Sequence, residues 1–275
     1  KLNKFEIDLG LRYDDTKTSD EKLMNQDNTY NELTGYVFGT YNVNESTKYF
    51  AGVGKSSRVP DPRELYYMGS GNDSLKNTVN YELDIGTEKK YENATLKAKA
   101  FYSMLDDFIL YNGTTFENID ASIYGFELGG TYIATQSVYF DYGMAYQRGK
   151  KDNVSSGEDK DMPEIPPFKL NAAVNYDYDA SLALKAEVIA SDSWTAFDED
   201  NGEQKLDAYT VVNLKGTKAL GKNFELTVGV DNVFDKTYAV SNTYKDLTLL
   251  TAGGGDVMLL NEPGRYVYTK LKYKF

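Results

Sequence analysis

The last nine residues of the chain, 267–275, alternate between two kinds of side chain at every step. Successive side chains of a strand point to opposite faces, so this segment has one uncharged face and one cationic face. In a soluble sandwich the uncharged face would meet a protein core, whereas in a transmembrane barrel it would meet lipid. The uncharged positions are Val267, Thr269, Leu271, Tyr273 and Phe275, and the others are Tyr268, Lys270, Lys272 and Lys274.

The same period of two recurs along most of the chain, in about twelve segments. No run of about 18 apolar residues occurs, which excludes a transmembrane helix. The 24 tyrosines, 13 phenylalanines and 23 glycines suit strands and turns. The pattern predicts an all-β fold, an antiparallel transmembrane β-barrel, in one domain that covers residues 1–275. Four strands with ambiguous facing are expected near 33–43, 48–54, 123–134 and 209–217, and a turn is expected at 105–107.

The connections between the predicted strands alternate between short and long. This asymmetry is expected of a barrel with short periplasmic turns and long external loops, and a soluble sandwich has no reason to produce it. The short connections are 91–93, 135–137, 179–180 and 220–223. The long, polar ones are 14–29, 56–77, 149–167, 191–207 and 235–264.

Composition excludes several classes of function. Cysteine and histidine are both absent, which removes thiol nucleophiles, disulfides, imidazole metal sites and histidine-dependent catalysis. The net charge of −12 argues against a nucleic-acid partner. We therefore expect neither an enzyme nor a bound cofactor.

Several segments resemble one known family. DNVFDKTY at 231–238, EPGR at 262–265 and the terminal strand resemble the carboxy-terminal signature of TonB-dependent outer-membrane receptors. Four further segments agree with that family in order and spacing, so that the resemblance covers most of residues 48–275. They are SRVPDPRELY at 57–66, LKNTVNYELDIG at 75–86, NIDASIYGFE at 118–127 and IPPFKL at 165–170.

The resemblance implies a barrel of roughly 22 strands in the bacterial outer membrane, with a plug domain and a segment that contacts TonB. This chain shows no plug and about half of the strands. Two arrangements are therefore open: the carboxy-terminal half of a receptor barrel, or a smaller barrel that closes on itself. Closure is important because an open sheet edge in hydrocarbon leaves backbone groups unsatisfied.

The family also implies a site for a metal chelate, built from arginines and aromatic side chains of the lumen and outer loops. Each candidate has a structural alternative: Arg63 can pair with Asp61 or Glu64, and Trp194 can anchor the chain at the membrane interface. The candidates are Arg58, Arg63, Tyr66 and Tyr67 in one long loop, Arg148 at the edge of another, and Trp194 in a third.

Two other groups of residues have metal-binding chemistry but weaker patterns. The segment 198–203 is rich in carboxylates and can offer oxygen ligands to calcium, but it lacks the EF-hand spacing, so a solvated acidic loop is the simpler interpretation. Thioethers in predicted loops can bind copper(I), although no histidine or cysteine accompanies them. These methionines are Met24, Met68, Met162 and Met258.

Three functions remain open from the sequence. The first is a receptor barrel in outer-membrane lipid that takes up a metal chelate such as a ferric siderophore, energised by TonB through a plug missing here. The second is a self-closed passive pore. The third is a soluble β-protein with a structural or adhesive role.

Overall fold

The computed structural model describes residues 4–20, 26–155, 157–240 and 261–275. Within these ranges twelve strands form one antiparallel sheet in which each strand pairs with its neighbours in sequence. The strands are β1 (Phe5–Asp20), β2 (Gln26–Asn44), β3 (Thr47–Arg58), β4 (Thr78–Lys90), β5 (Ala94–Tyr111), β6 (Phe116–Ile133), β7 (Val138–Lys151), β8 (Lys169–Asp179), β9 (Leu182–Ser191), β10 (Tyr209–Leu220), β11 (Phe224–Asp231) and β12 (Tyr266–Tyr273). One short helix, α1 (Pro62–Tyr66), and a 3-10 turn, Glu199–Asn201, lie between strands.

The sheet has two open edges. Among the described residues, β1 pairs only with β2 and β12 pairs only with β11. The predicted all-β barrel architecture is confirmed as a continuous antiparallel sheet, but the alternative of a small barrel that closes on itself is wrong for this chain. Closure would require β1 and β12 to pair with each other, and they do not.

One face of the sheet is an exposed apolar band. Leu9, Val37, Val53, Leu83 and Tyr102 lie directly opposite one another across β1 to β5, and all five side chains are exposed. All described strands belong to one sheet, so no second sheet covers this face. The stacked arrangement that a soluble sandwich requires is therefore contradicted.

The opposite face is polar. Lys99 contacts Asp84 at 2.8 Å, and the Ser103 hydroxyl donates to Glu82 at 2.9 Å. The predicted facing of these strands, with charges on one side and apolar residues on the other, is confirmed. Such a face suits a water-filled lumen.

The strands continue well beyond the apolar band. β1 extends to Asp20 and β2 starts at Gln26, so most of the predicted loop 14–29 is strand. The prediction was wrong because the apolar alternation ends at Tyr13, whereas backbone pairing continues through polar pairs such as Thr18 opposite Asn28.

The predicted turn at 105–107 is also wrong, because β5 runs through it. The register of β5 against β6 shifts between Leu105 and Phe108, which is a β-bulge. Asp107 has a φ of 54° there. Its N–H donates to Asp120 Oδ1 at 3.1 Å, and its carbonyl accepts from Asn118 Nδ2 at 2.7 Å.

The predicted short turns and long loops separate to the two ends of the sheet, although the β5–β6 connection at the long-loop end is also short, covering only 112–115. All four predicted short turns join strands at one end, and the long loops lie at the other. Much of the predicted loop 235–264 falls outside the described residues. No helix in the described part of the chain is long and apolar enough to cross a membrane.

Candidate ligand-binding site

Four of the candidate residues lie at the end of β3 and in the β3–β4 loop that follows it, and a salt bridge joins the strand end to the loop. Arg58 Nη1 and Nη2 donate to the two carboxylate oxygens of Glu64 at 2.8 and 2.9 Å. Asp61 caps α1 by accepting from the N–H groups of Arg63 and Glu64, while Glu64 accepts from the N–H of Asp61. This reciprocal capping box fixes the helix. Arg58 therefore acts mainly on the shape of the loop.

Tyr66 ties α1 to the strands beside it. Its hydroxyl lies 2.8 Å from Thr18 Oγ1 on β1 and accepts from Asn28 Nδ2 on β2 at 3.3 Å. Tyr66 also packs against a buried cluster under the loop, which consists of Tyr30, Leu65, Leu75 and Ile109. The ring is thus part of the packing that holds α1 over the ends of β1 and β2.

Arg63 and Tyr67 present a different picture, because both are exposed at the end of α1. The Arg63 guanidinium lies 5.7 Å from the centre of the Tyr67 ring. Within the described residues Arg63 forms no ion pair. Met68, which follows Tyr67 in the chain, is 75% exposed. A free guanidinium stacked on an aromatic ring can bind an anionic or aromatic ligand.

Arg148 lies on the outer face and not in the lumen. It pairs in register with Tyr124, whose side chain belongs to the apolar face, and its guanidinium contacts Asp161 at 2.9 Å. Asp161 itself forms an antiparallel bridge with Lys150. Arg148 therefore holds the β7–β8 loop and points away from the other candidates.

Trp194 is buried and neither of its predicted roles fits that position. It is 5% exposed and packs against Leu206, Ala239 and Phe197. Its Nε1 donates to the carbonyl of Ala196 at 2.9 Å. The ring forms a small core for the β9–β10 loop and is not placed for a membrane anchor or a ligand contact.

The sequence interpretation missed a network that joins two loops. Lys151 at the end of β7 contacts Asp198 in the β9–β10 loop at 3.0 Å, and the two side chains are 8% and 0% exposed. Glu203 accepts from the N–H of Asp198 at 2.8 Å and from that of Glu164 at 2.7 Å. No local pattern in the sequence signals the contacts between the loops, because Lys151 is 47 residues from Asp198 and Glu164 is 39 residues from Glu203.

This network corrects the expectation of a solvated acidic loop at 198–203 for Asp198 and Glu203, whereas Glu199 and Asp200 are exposed as expected. Asp198 is fully buried and paired with a lysine, and Glu203 is nearly buried. Burial raises the pKa of Glu203, and the nearby carboxylates of Asp198 and Glu164 act in the same direction. Among the described residues, no group of acidic side chains is arranged so that it could hold a metal ion.

Two of the four methionines noted from the sequence lie in the described part of the chain, and of these two only Met68 is exposed enough to bind a metal ion. Met162 is 2% exposed and packs on Leu105 and Ala121, so its thioether belongs to a core. Met68 is exposed beside Tyr67. Met24 and Met258 lie outside the described residues.

The DNVFD segment at 231–235 and the EPGR segment at 262–265 are hydrogen-bonded to each other between β11 and β12. Asn232 has a φ of 50° and accepts from the N–H of Lys236 at 2.8 Å. Asp235 Oδ1 accepts from the N–H of Arg265 at 2.7 Å, and Arg265 Nε donates to the carbonyl of Val233 at 2.8 Å. These residues serve the local fold and leave little polar capacity for a ligand.

The family model described as TonB dependent receptor-like, beta-barrel matches residues 1–233. The chain belongs to the TonB-dependent receptor family. Members of this family are outer-membrane β-barrel proteins of Gram-negative bacteria, so the apolar outer band of this receptor barrel lies against lipid.

Two curated relatives of the receptor barrel are named for different cargoes. It is 26% identical over 238 residues to the vitamin B12 transporter BtuB of Photobacterium profundum, a match that covers 83% of this chain and 37% of the relative. It is 29% identical over 118 residues to a ferric enterobactin receptor of Pseudomonas aeruginosa, a match that covers 40% of this chain and 16% of that protein.

Solved structures agree on the fold. The copper transporter OprC is 26% identical, with a TM-score of 0.87 over 99% of this chain and 45% of its own. The ferric yersiniabactin uptake receptor FyuA from Yersinia pestis, at 19% identity, has a TM-score of 0.76 over 99% of this chain and 43% of its own. The receptor barrel thus spans less than half the length of these proteins.

Proposed function

We propose that the receptor barrel takes part in the uptake of a metal chelate across the outer membrane, energised by TonB through a plug domain. The observation that supports this most is the fit of the whole sheet to part of a transporter barrel, at a TM-score of 0.87 with the copper transporter. The polar inner face and apolar outer face agree with that use of the sheet.

The exposed end of α1 supports an anionic chelate as the class of cargo. The Arg63 guanidinium, which has no ion pair among the described residues, supplies charge-assisted hydrogen bonds to an anionic chelate, and Tyr67 supplies an aromatic surface. Arg58 and Tyr66 hold α1 in place. Arg148 and Trp194 support the neighbouring loops, each within its own packing, and enter the proposal only in that indirect role.

A transport assay with three probes tests the proposal. We would express the complete gene product in a Gram-negative strain lacking its own receptors and measure uptake of labelled ferric enterobactin, vitamin B12 and copper. Uptake of at least one probe is expected, and it should disappear in a strain without TonB. Uptake that persists without TonB, or none for all three probes, would contradict the proposal.

An Arg63→Ala variant tests the site. Loss of charge-assisted hydrogen bonds should weaken binding of the transported probe about tenfold. Lys76→Ala is the matched control, because Lys76 is an exposed cation of the same loop whose partner is Asp107. Equal effects of the two substitutions would remove Arg63 from the site.

A further inference from the structure

The β7–β8 and β9–β10 loops are held together by polar contacts from both sides. Besides the Lys151–Asp198 salt bridge and the hydrogen bond from the N–H of Glu164 to Glu203, the N–H of Glu199 donates to Asp159 Oδ2 at 3.1 Å. The N–H of Asp159 in turn donates to Asp200 Oδ2 at 2.6 Å. Each loop thus supplies donors and acceptors that the other requires.

The salt bridge at the centre of this contact differs from the others in the described residues. Lys151 and Asp198 are almost fully removed from water, whereas the Lys150–Asp161 pair next to it spans 4.0 Å with Lys150 45% exposed. Removing one partner of a buried pair leaves an uncompensated charge, which is far more costly than breaking an exposed pair. Substitution of Lys151 is therefore expected to destabilise the loops strongly, whereas substitution of its sequence neighbour Lys150 is expected to have little effect.

Each loop is also anchored to a different part of the molecule. The N–H of Lys151 donates to the carbonyl of Lys160 at 2.8 Å, and Met162 packs on Leu105 and Ala121 of the inner face. On the other side, Trp194 packs against Ala239, which follows β11. The joined loops therefore connect the wall at β5 and β6 with the region after β11.

From these contacts we infer that the β7–β8 and β9–β10 loops are one cooperative unit, joined by Lys151, Asp198 and Glu203, which orders and moves as a single body. A disturbance of one loop is transmitted to the other through the buried ion pair. The inference goes beyond the proposed uptake role, and it can be measured without any ligand.

Hydrogen exchange of the complete gene product in outer-membrane vesicles tests whether the two loops are coupled. Lys151→Met keeps the apolar stem and leaves Asp198 buried without its cation. Amide exchange should accelerate about 100-fold or more in both segments, 158–164 and 194–206. Lys150→Met is the control and should change exchange less than about threefold.

Two further variants separate coupling from general damage. Glu203→Ala removes both acceptors, which leaves the N–H groups of Asp198 and Glu164 without them, and should accelerate both segments about tenfold. The double variant Lys151→Met/Asp198→Asn removes both charges and should recover most of the lost protection. Acceleration confined to 158–164 in Lys151→Met, or an equal response to Lys150→Met, would overturn the inference.

Discussion

At the scale of single residues, burial decides which charges matter in this receptor barrel. Arg12 and Asp14 lie 2.6 Å apart but Arg12 is largely exposed, so water and salt screen the pair. Lys151 and Asp198 lie 3.0 Å apart, and both side chains are buried. Arg12 and Asp14 are two residues apart in the sequence, whereas Lys151 and Asp198 are 47 apart, so only the fold reveals the buried pair.

Glu203 gives a pH dependence with a defined sign. Because burial raises its folded-state pKa, the native loops bind more protons than the unfolded ones between the ordinary glutamate pKa and that raised value. The stability that the loops gain from protonation of Glu203 is present at the acidic side of this window and is lost as pH rises through it. The charged groups of the surrounding contacts are Lys151, Asp159, Glu164, Asp198, Glu199 and Asp200.

Trp194 is a reporter for this prediction, because it is the single tryptophan of the 275 residues and is buried in the β9–β10 loop. Acrylamide quenching of Trp194, obtained by difference from Trp194→Phe, should increase as pH rises through the window. The dependence should be absent in Glu203→Gln. Quenching that increases toward acid instead would show that the sign is wrong.

At the scale of elements, alternation predicts strands well and their ends poorly. The facing of β5 was predicted correctly, yet its bulge was taken for a turn because Asp106 and Asp107 interrupt the apolar alternation. The contacts that keep the strand going come from Asp120 and Asn118 on β6. Such contacts depend on register, which a single sequence does not contain.

The bulge itself leads to a prediction at position 107. A β-branched residue is strained at a φ of 54°, so Asp107→Val should lower the free energy of unfolding by about 1 to 3 kcal/mol. Asp107→Gly should be close to wild type, since glycine adopts this conformation without strain. Guanidinium unfolding followed by gel mobility of unheated samples measures both. A milder effect of valine than of glycine would contradict the strained backbone.

The two faces of β11 give another test. Leu226 lies opposite Leu271 on the lipid face, whereas Thr227 faces inward with its hydroxyl 3.2 Å from that of Thr217. Leu226→Arg should cost about 2 to 4 kcal/mol in lipid, and Thr227→Arg should be nearly silent. The same unfolding assay checks this, and equal tolerance at both positions would refute the facing.

At the scale of the whole molecule, the open edges limit what these strands can do alone. Unpaired backbone groups of β1 and β12 in hydrocarbon cost several kcal/mol each. The 275-residue chain alone should therefore give no steady conductance in planar bilayers, while the complete gene product should migrate as a heat-modifiable band. A stable open channel from the chain alone would support the passive pore instead.

The family and the barrel strands were accessible from the sequence because the motif words and the period of two are local. The roles of individual loop residues were not. In the sequence, Trp194 and Arg148 cannot be distinguished from Arg63 and Tyr67, because all four are arginine or aromatic residues in or beside polar loops. Trp194 is buried by Leu206, Phe197 and Ala239, and Arg148 pairs with Asp161 of the loop that follows its own strand, and no spacing rule encodes these contacts.

The buried lysine at the end of β7 also bears on how such receptors diversify. A segment exchange between relatives that replaced 152–167 and kept 192–208 would preserve Lys151 and Asp198 but remove the Asp159 carboxylate that accepts from the N–H of Glu199. Replacing 192–208 alone would leave Lys151 without its counter-ion Asp198. Recombination is therefore expected to succeed most often when both stretches are inherited together from one parent.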